Sequence, residues 1–228
     1  MEFIKSPRHL LKPIFVGDEN VGKTTLISKY TNNKYENKTS IELFSKEIQI
    51  NNLDIRLLIW DIKGHCSFEK LVYNYIRDSN AYIILFDLTN LRSFYNINNW
   101  LHKIKNNNDL FSDYYPILLL GCKKDLTENR KVTYEEAKKF AVFNKLLYAE
   151  ISIDDDTDRI KILLNMYFIK ILNFYNPNDA FNYTNVFEIT QYKNNITNEE
   201  TEFFFDDSQY KSKCCYNCKK HLEICILQ

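Results

Sequence analysis

KPIFVGDENVGKTTLISKYTN, residues 12–32, decides the fold of this chain. Its apolar start, Ile14, Phe15 and Val16, reads as a buried strand, and the stretch from Lys23 onward reads as a helix. Between them runs G-x-x-x-x-G-K-[ST], from Gly17 to Thr24. A loop of this pattern, set between strand and helix, offers backbone N–H groups and a helix N-terminus to phosphate oxygens. The candidate phosphate-binding residues are Gly17, Asp18, Glu19, Asn20, Val21, Gly22, Lys23, Thr24 and Thr25. Lys23 can bridge β- and γ-phosphates, and the Thr24 hydroxyl can hold Mg²⁺.

Outward from this stretch, apolar runs alternate with helical patterns. FSKEIQI and DIRLLIWD read as two strands around the turn Asn51-Asn52, and NAYIILFDL, YPILLLGCK and LYAEIS as buried strands. SFYNINNWLHKIKN, TYEEAKKFAVFNKL and DRIKILLNMYFIKILNFY have helical spacing. Such alternation predicts an α/β fold of the P-loop NTPase kind, a mainly parallel sheet covered by helices on both faces. The expected organisation is an N-terminal extension over 1–7, one domain over 8–175, and a polar, flexible tail over 176–228.

The chain has 228 residues and only four glycines, Gly17, Gly22, Gly64 and Gly121. About 7% glycine is usual. The few that remain are therefore expected where φ is positive or where backbone approaches a ligand closely. Gly64 follows Trp60-Asp61 by three residues, in LIWDIKGHCSF (58–68). An aspartate at a strand end after a P-loop suits Mg²⁺, and the Gly64 N–H suits a γ-phosphate. Gly121 opens GCKKDL, after a buried strand whose carboxyl end faces the ligand crevice. There Asp125 can accept from the N1–H and 2-amino groups of guanine, a donor pair that adenine lacks.

In this order the motifs resemble the Rab branch of the Ras-like small GTPases, over roughly residues 8 to 175. The resemblance implies a six-stranded sheet with five helices, GTP or GDP bound with Mg²⁺, and two switch segments. It also implies effector, exchange and activating proteins as partners, and a role in vesicle traffic at membranes. It assigns Tyr35 to packing on the guanine, and Thr39 to Mg²⁺ and the γ-phosphate, although the segment from Tyr35 to Thr39 is about three residues short for the family. Lys123 and Asp125 match the family's base-reading motif, whose asparagine is here Cys122. Ser152 and Ile153 match the loop over the base, with Ile153 and Asp154 in place of alanine and lysine. His65 stands where the family has the glutamine that orients the attacking water. Glu19 and Asn20 replace small P-loop residues. The carboxylate of Glu19 adds repulsion beside a γ-phosphate, whereas asparagine tolerates the positive φ that such a loop demands.

Lys+Arg and Asp+Glu are equal at 30 each, so no global field draws the chain to nucleic acid. The apolar runs fall short of the roughly 20 residues that cross a bilayer, and the N-terminus has no signal-peptide core. The expectation is a protein at the cytosolic face of an intracellular membrane. Cys225-Ile226-Leu227-Gln228 forms a C-a-a-X pattern, with a lysine cluster and Cys214, Cys215 and Cys218 upstream, which fits a farnesylated Cys225 with a second anchoring signal. The same cysteines with His221 also have the spacing of a zinc knuckle. Two functions follow. One is a membrane-anchored GTP/GDP switch with slow hydrolysis, in which Lys23, Thr39 and His65 serve the reaction. The other is a pseudo-GTPase that binds nucleotide weakly or permanently.

Overall fold

The structure, a computed structural model, describes residues 9–33, 41–50, 53–64, 69–106, 115–155 and 157–175. Strands β1 (His9–Leu11) and β2 (Pro13–Gly17) lead into helix α1 (Lys23–Thr31). β3 (Ile41–Ile50), β4 (Leu53–Ile62), α2 (Glu69–Asp78), β5 (Ala81–Asp87), α3 (Leu91–Tyr95) and α4 (Ile97–Asn106) follow. The chain continues through β6 (Ile117–Cys122), α5 (Tyr134–Asn144), β7 (Leu147–Ile151) and α6 (Thr157–Tyr175).

The sheet has seven strands instead of the expected six, because the first strand is interrupted. His9 pairs with Ile55 and Ile14 with Trp60, so the register on β4 does not slip between β1 and β2. The break falls at Lys12-Pro13. Pro13 has no N–H to give to a ladder, and the Lys12 N–H is donated to Asn80 Oδ1 at 2.6 Å. From one edge the order is β3, β4, the β1/β2 strand, β5, β6, β7. Only β3 runs antiparallel to its neighbour. β2, β5 and β6 are buried along their whole length, as continuous apolar runs in a doubly covered parallel sheet should be.

α1 packs with α6, and α2 with α4. α3 reaches α5 through Phe94 and Phe140, whose ring centroids are 5.3 Å apart. The expected single helix over SFYNINNWLHKIKN divides at Asn96 into α3 and α4. Asn90 caps α3 by accepting from the Arg92 N–H at 3.0 Å. Thr133 and Glu136 close a reciprocal capping box at the start of α5. Tyr167 of α6 closes the far end of the sheet. Its hydroxyl accepts from the Tyr82 N–H at 2.8 Å and lies 2.8 Å from the Tyr82 carbonyl and 3.1 Å from that of Pro116.

The parallel strands deliver Gly17, Ile62, Asp87, Cys122 and Ile151 to the same end of the sheet, at their carboxyl ends. β2 lies between β4 and β5; the connection from β2 through α1 runs to the β3 side, and the one from β4 through α2 crosses to β5 on the other. An open α/β sheet forms its ligand crevice at that point.

Candidate functional site

A cleft of about 590 Å³ opens over this end. Its lining includes Glu19, Asn20, Gly22, Lys23, Thr24, Thr25, Lys63, Gly64, Lys123 and Ile153. Gly17 and Asp18 lie at the turn out of β2, and Val21 is buried beneath the loop.

The P-loop conformation follows from its residues. Gly17 has φ 144, and a Cβ there would come within 2.2 Å of the Leu85 carbonyl oxygen on β5. No side chain fits between these strands. Asn20 takes φ 59, the left-handed conformation expected of asparagine in its place. Asp18 is held from the side, its Oδ1 accepting from Asn96 Nδ2 at 2.5 Å and from the Trp100 indole at 3.1 Å. Those partners lie at and beyond the α3–α4 break and carry no sequence signal, since the contact spans about eighty residues of chain.

Lys23 is buried, and its Nζ donates to the carbonyls of Gly17 at 2.8 Å and Asp18 at 2.6 Å. Burial lowers its amine to about 8, against the opposing pull of Asp61 and Asp18. Beside it, Thr24 Oγ1 donates to Asp61 Oδ2 at 2.5 Å. The other oxygen, Oδ1, is buried with no hydrogen-bond partner. Burial raises the Asp61 carboxyl, while the Thr24 hydrogen bond and the Lys23 charge oppose the rise. A hydroxyl oxygen beside a desolvated carboxylate with an orphaned oxygen is a hard donor pair, and it fits Mg²⁺. Gly64 is pressed on the same loop, where a Cβ would meet Glu19 N at 2.3 Å and the Asp18 carbonyl carbon at 2.4 Å.

Lys123, Asp125 and Ser152 meet beyond the ends of β6 and β7. The Ser152 hydroxyl donates to Asp125 Oδ1, and the Lys124 N–H to the Ile151 carbonyl at 3.2 Å. Asp125 is exposed at the rim, and Ser152 is buried behind it. Lys123, at φ 65, places Nζ 2.6 Å from Asp87 Oδ2. Burial pushes the Asp87 carboxyl up, but hydrogen bonds from Lys123 and Thr89 outweigh it and hold the group below its usual range. A two-pronged pair from Arg130 to Glu150 braces the end of β7, at 2.9 Å for Nη1 to Oε2.

Cys122 is enclosed, with its thiol 3.9 Å from the Leu120 carbonyl oxygen. The position that the family gives to an asparagine thus holds a thiol buried in the core. Burial, with the nearby Asp87 charge, pushes the thiol up to about 12. Gly121 departs from the expected reason for a glycine. Its crowding comes from the Leu88 and Phe86 side chains, at 3.0 and 3.2 Å from a built Cβ, and its φ is not positive. Tyr35, Thr39, His65 and Cys225 lie outside the described residues, as do the tail cysteines. Among the described residues no His, Cys, Asp and Glu cluster forms a further metal site, and no helix is long and apolar enough to cross a membrane.

A P-loop on a mainly parallel sheet, with a hydroxyl–carboxylate pair beside the lysine and an aspartate–serine pair after β6 and β7, has the layout of a small GTPase. A model of the Ras family matches residues 12–171. The chain is 35% identical over 150 residues to Ras-related protein Rab-4 of Dictyostelium discoideum, an alignment covering 64% of this chain and 72% of that protein. The chain belongs to the Ras family, as a Rab-like small GTPase.

Proposed function

We propose that the chain is a guanine-nucleotide switch that binds GTP and GDP with Mg²⁺, hydrolyses GTP slowly, and acts in vesicle traffic at the cytosolic face of a membrane. The observation that carries this reading is the joint presence of two donor sets across one cleft. Lys23 and Thr24 on the cleft wall, with Asp61 bonded to Thr24, would serve phosphate and metal; Asp125 with Ser152, close in sequence to the lining residues Lys123 and Ile153, would serve the base. Bound Mg²⁺ would offset charge on the phosphate oxygens, with Thr24, Thr39 and Asp61 as its protein ligands. This chain's own part is to hold the phosphates on the P-loop N–H groups and Lys23. Slow turnover follows from His65, which cannot offer an attacking water the amide donor and acceptor that glutamine does. Effector, exchange and activating proteins would read the two switch segments, and a lipid on Cys225 would hold the switch to its membrane.

The second reading, a pseudo-GTPase, is favoured by one observation: Glu19 lines the same cleft as Lys23, and its negative charge would repel a γ-phosphate there. The two separate on nucleotide extracted from the purified protein and on single-turnover hydrolysis. Bound GTP or GDP, with slow hydrolysis that rises on His65→Gln, supports the switch. Nucleotide without hydrolysis in either variant supports the pseudo-GTPase. Asp125→Asn should lose its preference for guanine, because an amide cannot accept from both guanine donors; unchanged selectivity for GTP over ATP would remove Asp125 from base reading. Intact mass tests the tail, where a prenyl addition supports the lipid and co-purifying zinc the knuckle.

A further inference from the structure

Lys29 belongs to α1, the helix whose first turn carries Lys23 and Thr24, yet its ammonium reaches the other end of the cleft. It donates to the Ile153 carbonyl, and to the Asp155 carbonyl at 2.7 Å. A lysine in the last turn of a helix ordinarily serves that helix's own carbonyls. Here both acceptors belong to the turn after β7.

That turn is otherwise tied to itself, to Asp125, and to α6, where Arg159 Nη1 lies 3.9 Å from Asp155 Oδ1. The Ser152 N–H goes to Asp155 Oδ2 at 2.7 Å, the Asp154 N–H to Ser152 Oγ at 3.0 Å, and the Asp155 N–H to the Ser152 carbonyl at 3.2 Å. The Ser152 hydroxyl proton goes to Asp125. These bonds set the shape of the turn and not its distance from the P-loop. Two contacts with the P-loop and its helix set that distance. One is the closeness of Ile153 to Gly22, where an added Cβ would lie 3.1 Å from Ile153 Cδ1. The other is the Lys29 ammonium, a three-donor group whose bonds to carbonyls are charge-assisted.

We propose that Lys29 is a positioning residue for base recognition: it clamps the 152–155 turn to the phosphate-binding helix, so that Asp125 and the P-loop hold one nucleotide at a fixed span. The inference rests on the guanine reading above. Ligands that reach both ends of the cleft depend on the clamp, and a ligand that occupies only the phosphate end does not. A positioning error of this kind weakens the whole nucleotide without touching its phosphate contacts.

The test compares GDP, ADP and inorganic pyrophosphate binding to the full chain by calorimetry, for the wild type, Lys29→Met and Lys29→Arg. Loss of charge-assisted bonds should weaken GDP about tenfold in Lys29→Met and narrow the GDP-to-ADP ratio, with pyrophosphate within about twofold of wild type. Lys29→Arg keeps donors and charge, and should restore most of the loss. Lys29→Gln keeps two neutral donors without the charge, and gives a smaller change in the same direction if Lys29→Met does not fold. A GDP-to-ADP ratio that stays at its wild-type value, or equal losses for GDP and pyrophosphate, would overturn the proposal while leaving the guanine reading intact. A wild type that does not prefer GDP to ADP would overturn both.

Discussion

The Thr24 hydroxyl donates to one oxygen of Asp61 at 2.5 Å, and the second oxygen of that carboxylate is buried without a partner. A carboxylate so placed works against the stability of the free protein. Burial raises its pKa from 3.8, opposed by Thr24 and Lys23. For an acid raised on folding, the native state binds more protons than the unfolded state between the two pKa values. The contribution to stability is present below the unfolded value and is lost as pH rises through the folded one. At neutral pH a penalty remains for a cation to relieve.

Asp61→Asn should therefore stabilise the nucleotide-free protein at pH 7 in EDTA. The amide oxygen still accepts from Thr24, and the desolvated carboxylate charge is removed, at the cost of its attraction for the buried Lys23 ammonium. A gain of about 1 kcal/mol would raise the melting temperature by about 2–4 °C in a domain of this size. Adding MgCl₂ should stabilise the wild type and leave the variant unmoved. Thermal unfolding in EDTA and in MgCl₂ checks both arms; equal Mg²⁺ responses in the two proteins would remove Asp61 from the metal site.

Gly64 supports a second prediction. Its built Cβ would lie 2.3 Å from Glu19 N and 2.9 Å from the Gly17 carbonyl oxygen, so the obstacle is backbone and cannot swing aside. Gly64→Ala must push the end of β4 away from the P-loop. Overpacking of this kind costs about 1–3 kcal/mol, which urea unfolding would read as a lower midpoint at unchanged slope. GTP affinity should fall more than GDP affinity, because the displaced N–H is the one suited to a γ-phosphate.

The thiol of Cys122 is enclosed, and burial pushes it up to about 12. Thiolate is the reactive form, so at pH 8 about one molecule in ten thousand carries it. Alkylation of Cys122 should await global unfolding and follow the denaturant transition. Peptide mapping after iodoacetamide treatment of the native chain checks this; prompt labelling at Cys122 would mean that the base side of the cleft opens readily.

The fold and much of the cleft were legible because their signals are local. Gly17 to Thr24 is a contiguous pattern between a strand and a helix, and the positive φ of Asn20 was readable from residue type. The buried strands announced themselves as apolar runs. What stayed hidden joins distant parts of the chain. Lys29 looked like an ordinary helix lysine, since its acceptors are 124 and 126 residues away and are carbonyls, which every residue has. The Asp18 contacts with Asn96 and Trp100 depend on how α4 packs beside β2, which no period in the sequence encodes. The break at Lys12-Pro13 shows in the sequence only as a proline before an apolar run, and nothing local shows that His9 keeps the same register on β4. Gly121 answers to the packing of Leu88 and Phe86, a tertiary cause that glycine scarcity alone cannot separate from ligand approach.

Lys23 supports the last prediction, a pH dependence of nucleotide binding. Burial lowers its amine to about 8, and Asp61 and Asp18 keep it from falling further. In the unfolded chain the amine titrates near 10.5, so between about 8 and 10.5 the unfolded state binds more protons than the native state. Stability from this group accordingly rises with pH across that window, as the buried charge is shed. A phosphate beside Nζ favours the charged form and raises the amine again. Binding GDP above pH 8 must then take up a proton, and affinity should fall with rising pH by up to about tenfold per unit. Working in EDTA keeps Mg²⁺ out of the balance. Calorimetry at pH 8.5 in two buffers of different ionisation enthalpy should give binding enthalpies that differ by the uptake of up to about one proton. Lys23→Met should bind far more weakly, with no proton uptake and no stability gain between pH 8 and 10.5. Full wild-type affinity at pH 9.5 with no proton uptake would show that Lys23 does not meet the phosphates.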